Sequence, residues 1–307
     1  MITSVFSKSN PVNYVVVIFA VLIFLIIKEI QLALVSDSFS FLSSLTKLLL
    51  LITSLFLANF ISKRNTLTKD NAFVFLYFGF FLILIPQCLS DLRLIAANLF
   101  ILMAFRRIFS LKSLTATKEK IFDASLWIFV ASIFHFWSIL FLVLVFVAIF
   151  IHLLSDFRSW FLPVVAFAAV AMLFSAFVTF TQQPLVDSLW QQMNIDLSFH
   201  YFNSKIESAI LVLFAIFSIA LFIFYLSGVS KKPTSAQSNV FKMVLIWIIS
   251  ATIFIISPQK TNALLLFLLF PTSIYAADFL ENFSSNWFKE FVTWVFVLTA
   301  VVLFIFS

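Results

Sequence analysis

The sequence predicts an all-α, polytopic integral membrane protein with about eleven membrane-spanning helices. Three observations predict it. Of 307 residues, 63% are hydrophobic and only 10% are charged, whereas a soluble domain is about 45–50% apolar and about 25% charged. Mean hydropathy is +1.16, and a water-soluble chain of this length could not cover that much apolar surface. The apolar residues also fall into runs of about 20, the length that crosses a bilayer as a helix.

In chain order the clear spans are 13–34, 41–62, 71–87, 92–109, 163–181, 206–226, 241–257, 263–279 and 290–306. Residues 122–154 need an argument. From Ala124 to Leu154 no side chain is charged. As one helix that stretch would be about 46 Å long, against a hydrocarbon core of about 30 Å. It would have to tilt by about 50°, beyond the usual range. Two short helices, 122–136 and 138–154, meeting near His135-Phe136-Trp137, remove the conflict.

The basic residues favour the split. With the N-terminus in the cytoplasm, fourteen Lys and Arg fall inside. Five fall outside: Lys28, Lys47, Arg93, Lys205 and Lys260. Without the split the division becomes eleven to eight. Basic residues gather on the cytoplasmic side of a membrane. The expected topology therefore has the N-terminus inside the bacterial inner membrane and the C-terminus outside. The net charge of +6 reflects this asymmetry rather than a nucleic-acid partner.

Residues 1–307 read as a single transmembrane domain. Residues 1–11 form an interfacial lead-in with Ile2, Val5 and Phe6 on one face, or else a frayed terminus. No small-residue cleavage site follows the apolar run after Lys8, so no cleavable signal peptide is expected. The largest outer loop, 182–205, carries Asp187, Trp190, Asp196, His200 and Tyr201, and its Trp and Tyr suit the interface. Pro271 lies inside a span and should kink it.

Composition excludes much chemistry. Gly79 and Gly228 are the only glycines, so neither a Gly-rich phosphate loop nor a GxxxG seam exists. The lone cysteine, Cys88, permits no internal disulfide and argues against a cysteine metal site. Three histidines, His135, His152 and His200, cannot supply an iron centre held by four. No hydrolase, metalloprotease, phosphate-loop or calcium motif appears, and no cofactor or metal is expected. Charges sit at the ends of spans and leave their middles bare, which counts against a proton pump, an ion channel or a voltage sensor.

What remains is a charged set on the outer face. Asp37, in the first outer loop, is the candidate catalytic base. Lys28, Lys47 and Arg93 could hold a phosphate, with Glu29, Asp91 and His135 completing the candidate substrate site. The plainer alternatives are snorkelling charges, a structural pair of Lys47 with Glu29 or Asp37, and a hydrogen-bonded core histidine. An inner cluster, Arg106, Arg107, Lys112, Lys118 and Lys120, reads as a topological anchor attracted to anionic lipid, or as a dock for a cytosolic partner.

The opening Met1-Ile2-Thr3-Ser4-Val5-Phe6-Ser7-Lys8-Ser9-Asn10-Pro11 resembles the start of a family of uncharacterised polytopic membrane proteins of flavobacteria and relatives. Arg106-Arg107-Ile108-Phe109-Ser110-Leu111-Lys112 and Phe122-Asp123-Ala124-Ser125 fit the same family. Members can carry a carotene-cleaving oxygenase label, which implies four iron-binding histidines that this chain lacks. Residues 92–180 also resemble the middle of the C-type glycosyltransferases, which take sugar from a polyprenyl-phosphate carrier. In them a span ending in Arg-Arg is followed by two short helices and a further span. That resemblance implies an acidic residue in the first outer loop, the position of Asp37, although the second acid beside it is absent. It also implies polyprenyl phosphate as a partner lipid. The readings in order are an outer-facing binder of a lipid-linked anionic substrate, with possible glycosyl transfer, then a non-catalytic scaffold paired with another membrane protein, then a small transporter.

Overall fold

A computed structural model describes residues 2–36, 40–152, 156–182, 185–198, 205–229, 233–258, 260–283 and 285–306. All regular structure among them is helical. The helices are α1 (Ile2–Phe6), α2 (Pro11–Ser36), α3 (Phe41–Arg64), α4 (Phe73–Leu84), α5 (Leu92–Ser110), α6 (Thr117–Phe134) and α7 (Leu142–His152). They continue as α8 (Leu162–Thr181), α9 (Leu185–Gln192), α10 (Lys205–Ser227), α11 (Thr234–Ile256), α12 (Leu266–Asn282) and α13 (Asn286–Phe306). Short 3-10 turns at Pro86–Leu89, Leu111–Ser113, Phe136–Phe141, Phe157–Phe161 and Asn262–Leu265 join or extend them.

Among the described residues, eight helices are long and apolar enough to cross a membrane. Phe73–Leu84 and Phe136–His152 are shorter apolar helices. A helix satisfies its own backbone, which is what a chain in hydrocarbon requires. Where a helix starts at an end of the bundle, side chains finish the task. Asp91 Oδ1 accepts from the N–H of Arg93 at 2.9 Å and of Leu94 at 3.2 Å, capping α5.

Hydrogen bonds between helix ends define two faces of the bundle. At the N-terminal end, Lys63 bonds Ser9 and, at 3.1 Å, Tyr14. Asn71 Nδ2 donates to Glu281 at 2.5 Å, and Asn239 Nδ2 to the Asn65 carbonyl at 3.2 Å. At the far end, Lys47 meets Glu29 at 2.7 Å, and Gln87 donates to Glu207 at 3.4 Å.

The chain breaks at His135, whose backbone is extended (φ −144°, ψ 108°). One end of α6 is fixed to the N-terminal face by Lys120, which donates to the Ser110 carbonyl at 2.9 Å, and by the Arg107–Asp123 pair at 2.7 Å. Its other end brings His135 within 3.2 Å of Ser257, just past the end of α11. From there the chain returns along α11. His152, at the end of α7, accepts from Lys242 at 3.0 Å near the start of α11. Residues 117–152 thus form a hairpin.

The interior is built on α12. In its most apolar stretch 94% of residues are buried, against 17% in the comparable stretches of α8 and α13. It packs on α4, α10, α11 and α5. Lipid is as apolar as leucine, so packing and interhelical hydrogen bonds hold such helices together. Tyr275 Oη donates to the Met243 carbonyl at 2.9 Å, and Trp247 Nε1 to Ser218 Oγ at 2.8 Å. Pro271 has no N–H, which leaves the Phe267 carbonyl without its helical partner. Ser250 Oγ of α11 lies 3.0 Å from that carbonyl and 2.7 Å from the Ile246 carbonyl of its own helix, so its one hydroxyl hydrogen is shared between them, and α12 runs through the proline as one helix.

Gly79 of α4 gives one close approach. A Cβ there would stand 2.4 Å from Val17 Cγ1 of α2. The lead-in is docked rather than frayed. Glu290 accepts from the N–H of Ile2 at 2.5 Å and of Thr3 at 3.0 Å. Phe6 is buried while Val5 is exposed, so the apolar face expected at the interface is divided between core and surroundings.

Candidate functional site

A cavity of about 220 Å³ opens at the far end. Asp91, Arg93, His135, Gln191, Gln192 and Thr261 contribute to its wall. Each comes from a place where a helix starts or stops. Asp91 and Arg93 stand at the capped start of α5, His135 at the end of α6, and the glutamines at the end of α9. Thr261 follows α11.

The roof is clasped by backbone contacts. The Phe136 N–H donates to Gln192 Oε1 at 3.0 Å, which ties α9 across the break in the 117–152 hairpin. The Asp196 N–H donates to the Ile256 carbonyl at 3.2 Å. Lys260, buried, donates to the Asp196 carbonyl and, at 3.2 Å, to the Ser257 carbonyl. Its charge is thereby spent on structure.

His135 is buried, with its ring 5.7 Å from that of Phe267. Ser257 donates its hydroxyl hydrogen to the Ile253 carbonyl at 2.6 Å. The hydroxyl therefore accepts from His135 Nε2 at 3.2 Å. Nε2 therefore carries a proton. Beside it, Trp137 Nε1 and Ser138 Oγ are buried with no hydrogen-bond partner among the described residues. Arg93 is exposed and has no acidic partner among them.

The structure gathers Asp91, Arg93 and His135 into this one cavity. It puts the others elsewhere at the same end. Glu29 and Lys47 form a closed pair, to which Ser44 Oγ donates at 2.8 Å, and both residues are buried. Lys28 feels the charge of Glu207, which also accepts from Gln87 at 3.4 Å. Asp37, His200 and Tyr201 lie outside the described residues. Gln191, Gln192, Ser257 and Thr261 belong to the cavity region and were not among the residues picked from the sequence. The signal available for the glutamines was a Gln-Gln pair ending a short polar helix in the largest outer loop.

Cys88 is buried and does not line this cavity. Burial, with Asp91 nearby, pushes its thiol well above the ordinary range, and it faces the carbonyls of Asn262 and Ala263. Among the described residues no three His, Cys, Asp or Glu stand together as metal ligands.

Among the described residues, eight apolar crossing-length helices, one of them buried at the centre, with polar groups collected at the ends, define a multi-pass α-helical membrane protein. The comparison with protein families is more specific. The family of unknown function DUF6427 matches residues 1–307, and the chain belongs to it. No curated protein and no solved structure matches the chain.

Proposed function

We propose that this chain is one transmembrane domain of the bacterial inner membrane, crossing it eleven times, that binds a lipid-linked anionic substrate at its far end. The three additional crossings are α4, α6 and the segment ending in α7. The alternation of hydrogen-bonded ends along the chain supports that count, and the basic residues support placing the N-terminal end in the cytoplasm. The far-end cavity then faces outward.

One observation carries the reading: an arginine without an acidic partner among the described residues, a buried histidine and two glutamines converge on one small cavity from three helix ends. Arginine presents a planar fork of donors matched to phosphate. A volume of about 220 Å³ lies below the range of about 300–1,000 Å³ for whole-ligand sites. It fits a phosphate group whose isoprenoid tail stays in the lipid. Polyprenyl phosphate is the carrier this chemistry suits. Transfer of a carried sugar would need a general base, and Asp37, in the loop between α2 and α3, is the carboxylate for that role.

The test is native mass spectrometry of the protein in mild detergent with added polyprenyl phosphate. Retention should fall about tenfold in Arg93→Ala, because a charge-assisted hydrogen bond contributes roughly 1.5–3 kcal/mol. Equal retention by the variant, or none by the parent, would remove the lipid-linked substrate. Co-purification of a second membrane protein in its place would establish the scaffold reading.

A further inference from the structure

The N-terminal end holds a larger cavity of about 900 Å³ that the function above does not use. Five bases line it: Arg64, Arg106, Arg107, Lys112 and Lys120. No acidic residue does. They arrive from three places, the end of α3, the end of α5 with the turn after it, and the start of α6. Arg64, Arg106 and Lys112 form no ion pair among the described residues.

Two of the five are already engaged. Arg107 meets Asp123 at 2.7 Å. Lys120 donates to the Ser110 carbonyl at 2.9 Å and to Ser113 Oγ at 2.7 Å, which holds its ammonium at the cavity wall. The Arg106 guanidinium lies over the Phe60 ring at 5.3 Å.

Bases at helix ends usually offset the negative end of a helix dipole. That accounts for Arg64 and Arg107, which lie in the last turns of their helices. It does not account for Lys120, near the start of a helix, where a cation is unfavourable, nor for the convergence of all five on one hollow. Like charges so placed repel one another unless an anion enters. The wall is also strained. Thr66 (φ 52°) contributes to it, and Leu114 (φ 53°) and Ala116 (φ 48°) flank Thr115, which also lines it. Such conformations persist where the surroundings enforce them, often at binding sites.

We infer that this cavity is a second anion site, which takes the phosphate of an anionic phospholipid. A groove decides for a lipid over a soluble phosphate. Phe60 and Arg64 also line a neighbouring hollow of about 630 Å³, with Tyr14, Phe56, Asn59 and Lys63. Phe56 and Phe60 are 44% and 46% exposed on the outside of α3, where acyl chains would lie. The headgroup occupies the basic hollow and a tail follows the aromatic groove.

The test is native mass spectrometry of the full chain released from nanodiscs of phosphatidylglycerol or phosphatidylcholine. Phosphatidylglycerol should be retained, and phosphatidylcholine should not. Arg106→Gln with Lys112→Gln should cut retention about tenfold or more. Lys289→Gln, a base lost at the same end outside the cavity, should leave it unchanged. Arg64→Gln alone gives a second reading should the double variant fail to fold. Equal losses in Lys289→Gln and the cavity variants would mean a diffuse surface charge and overturn the site. Binding of inorganic pyrophosphate with the same dependence on Arg106 and Lys112, but no lipid retention, would overturn the assignment to lipid. The Arg93→Ala variant reports on the opposite end, so either site can fail alone.

Discussion

The two ends of the bundle carry charge in different proportions. At the far end, acids are set against bases: Glu29 pairs with Lys47, and Glu207 lies near Lys28. Arg93 stands out against a background of offset charge. At the N-terminal end three acids also meet bases, Asp70 with Lys63, Asp123 with Arg107 and Asp156 with Lys118, and two more are spent on the backbone. Glu281 accepts from the Lys69 N–H, at 3.0 and 3.1 Å from its two oxygens, and Glu290 accepts from the N–H of Ile2 and Thr3. The nearby cations are left in excess. On the proposed reading, selectivity at the far end depends on one arginine, with Asp91, His135 and two glutamines around it. At the N-terminal end it depends on accumulated positive potential, which is less particular about the anion and more sensitive to salt.

The largest expected effect lies at the far end. Glu29→Gln would leave the Lys47 ammonium buried without its counter-charge. Breaking a buried pair costs about 3–5 kcal/mol, and thermal unfolding in mild detergent should show it. Adding Lys47→Met should recover most of the loss. If Glu29→Gln alone is neutral, the far end is not internally compensated.

Next is Glu290→Ala, which frees two backbone N–H groups and the Thr3 hydroxyl. Hydrogen bonds to a charged acceptor contribute roughly 1.5–3 kcal/mol each. Much of that returns when α1 re-solvates, so a net cost of about 1–2 kcal/mol is expected, confined to α1. Hydrogen exchange should rise in residues 2–6 while the rest of the chain keeps its protection. A global loss would mean that the N-terminal end is as structurally dependent on its acids as the far end.

Ser250→Ala calibrates the interior between the two. It removes the hydroxyl that the Phe267 carbonyl, left without the Pro271 N–H, shares with the Ile246 carbonyl. The cost should be about 0.5–1.5 kcal/mol, the net contribution of one hydrogen bond, again read by unfolding in detergent. The smallest effect belongs to Arg106→Gln. Its guanidinium has a ring partner and, among the described residues, no ion pair, so stability should change by about 0.5–1 kcal/mol or less. A large loss there would make the inner bases structural and erase the contrast.

How far the sequence foretold this depends on range. Helix positions follow from apolar runs, so 92–109 and 163–181 were legible nearly to the residue. Helix starts in polar sequence were not. The sequence reading starts at Phe241, but α11 begins at Thr234, and part of its polar first turns is held by His152 and Asn65. Likewise α6 begins at Thr117 rather than at 122, since Lys118, Glu119 and Lys120 are good helix formers that a hydropathy criterion discards. The break at His135 was legible because length and charge both required it. Arg93, Asp91 and His135 could be picked as a set because all three were assigned to one side. Gln192 and Thr261 could not, because they reach the cavity only through packing between distant segments. The Glu29–Lys47 pair stood among the alternatives, and the choice needed coordinates.

That pair bears on how the chain enters a membrane. Lys47 lies about two turns inside α3, and a lysine at such depth in an isolated helix costs a few kcal/mol on insertion scales. Its counter-charge arrives earlier in synthesis, on α2. If α2 and α3 leave the insertion machinery as a hairpin, the lysine meets its carboxylate before it meets lipid. The order of synthesis thereby supplies the solvent that the bilayer withholds.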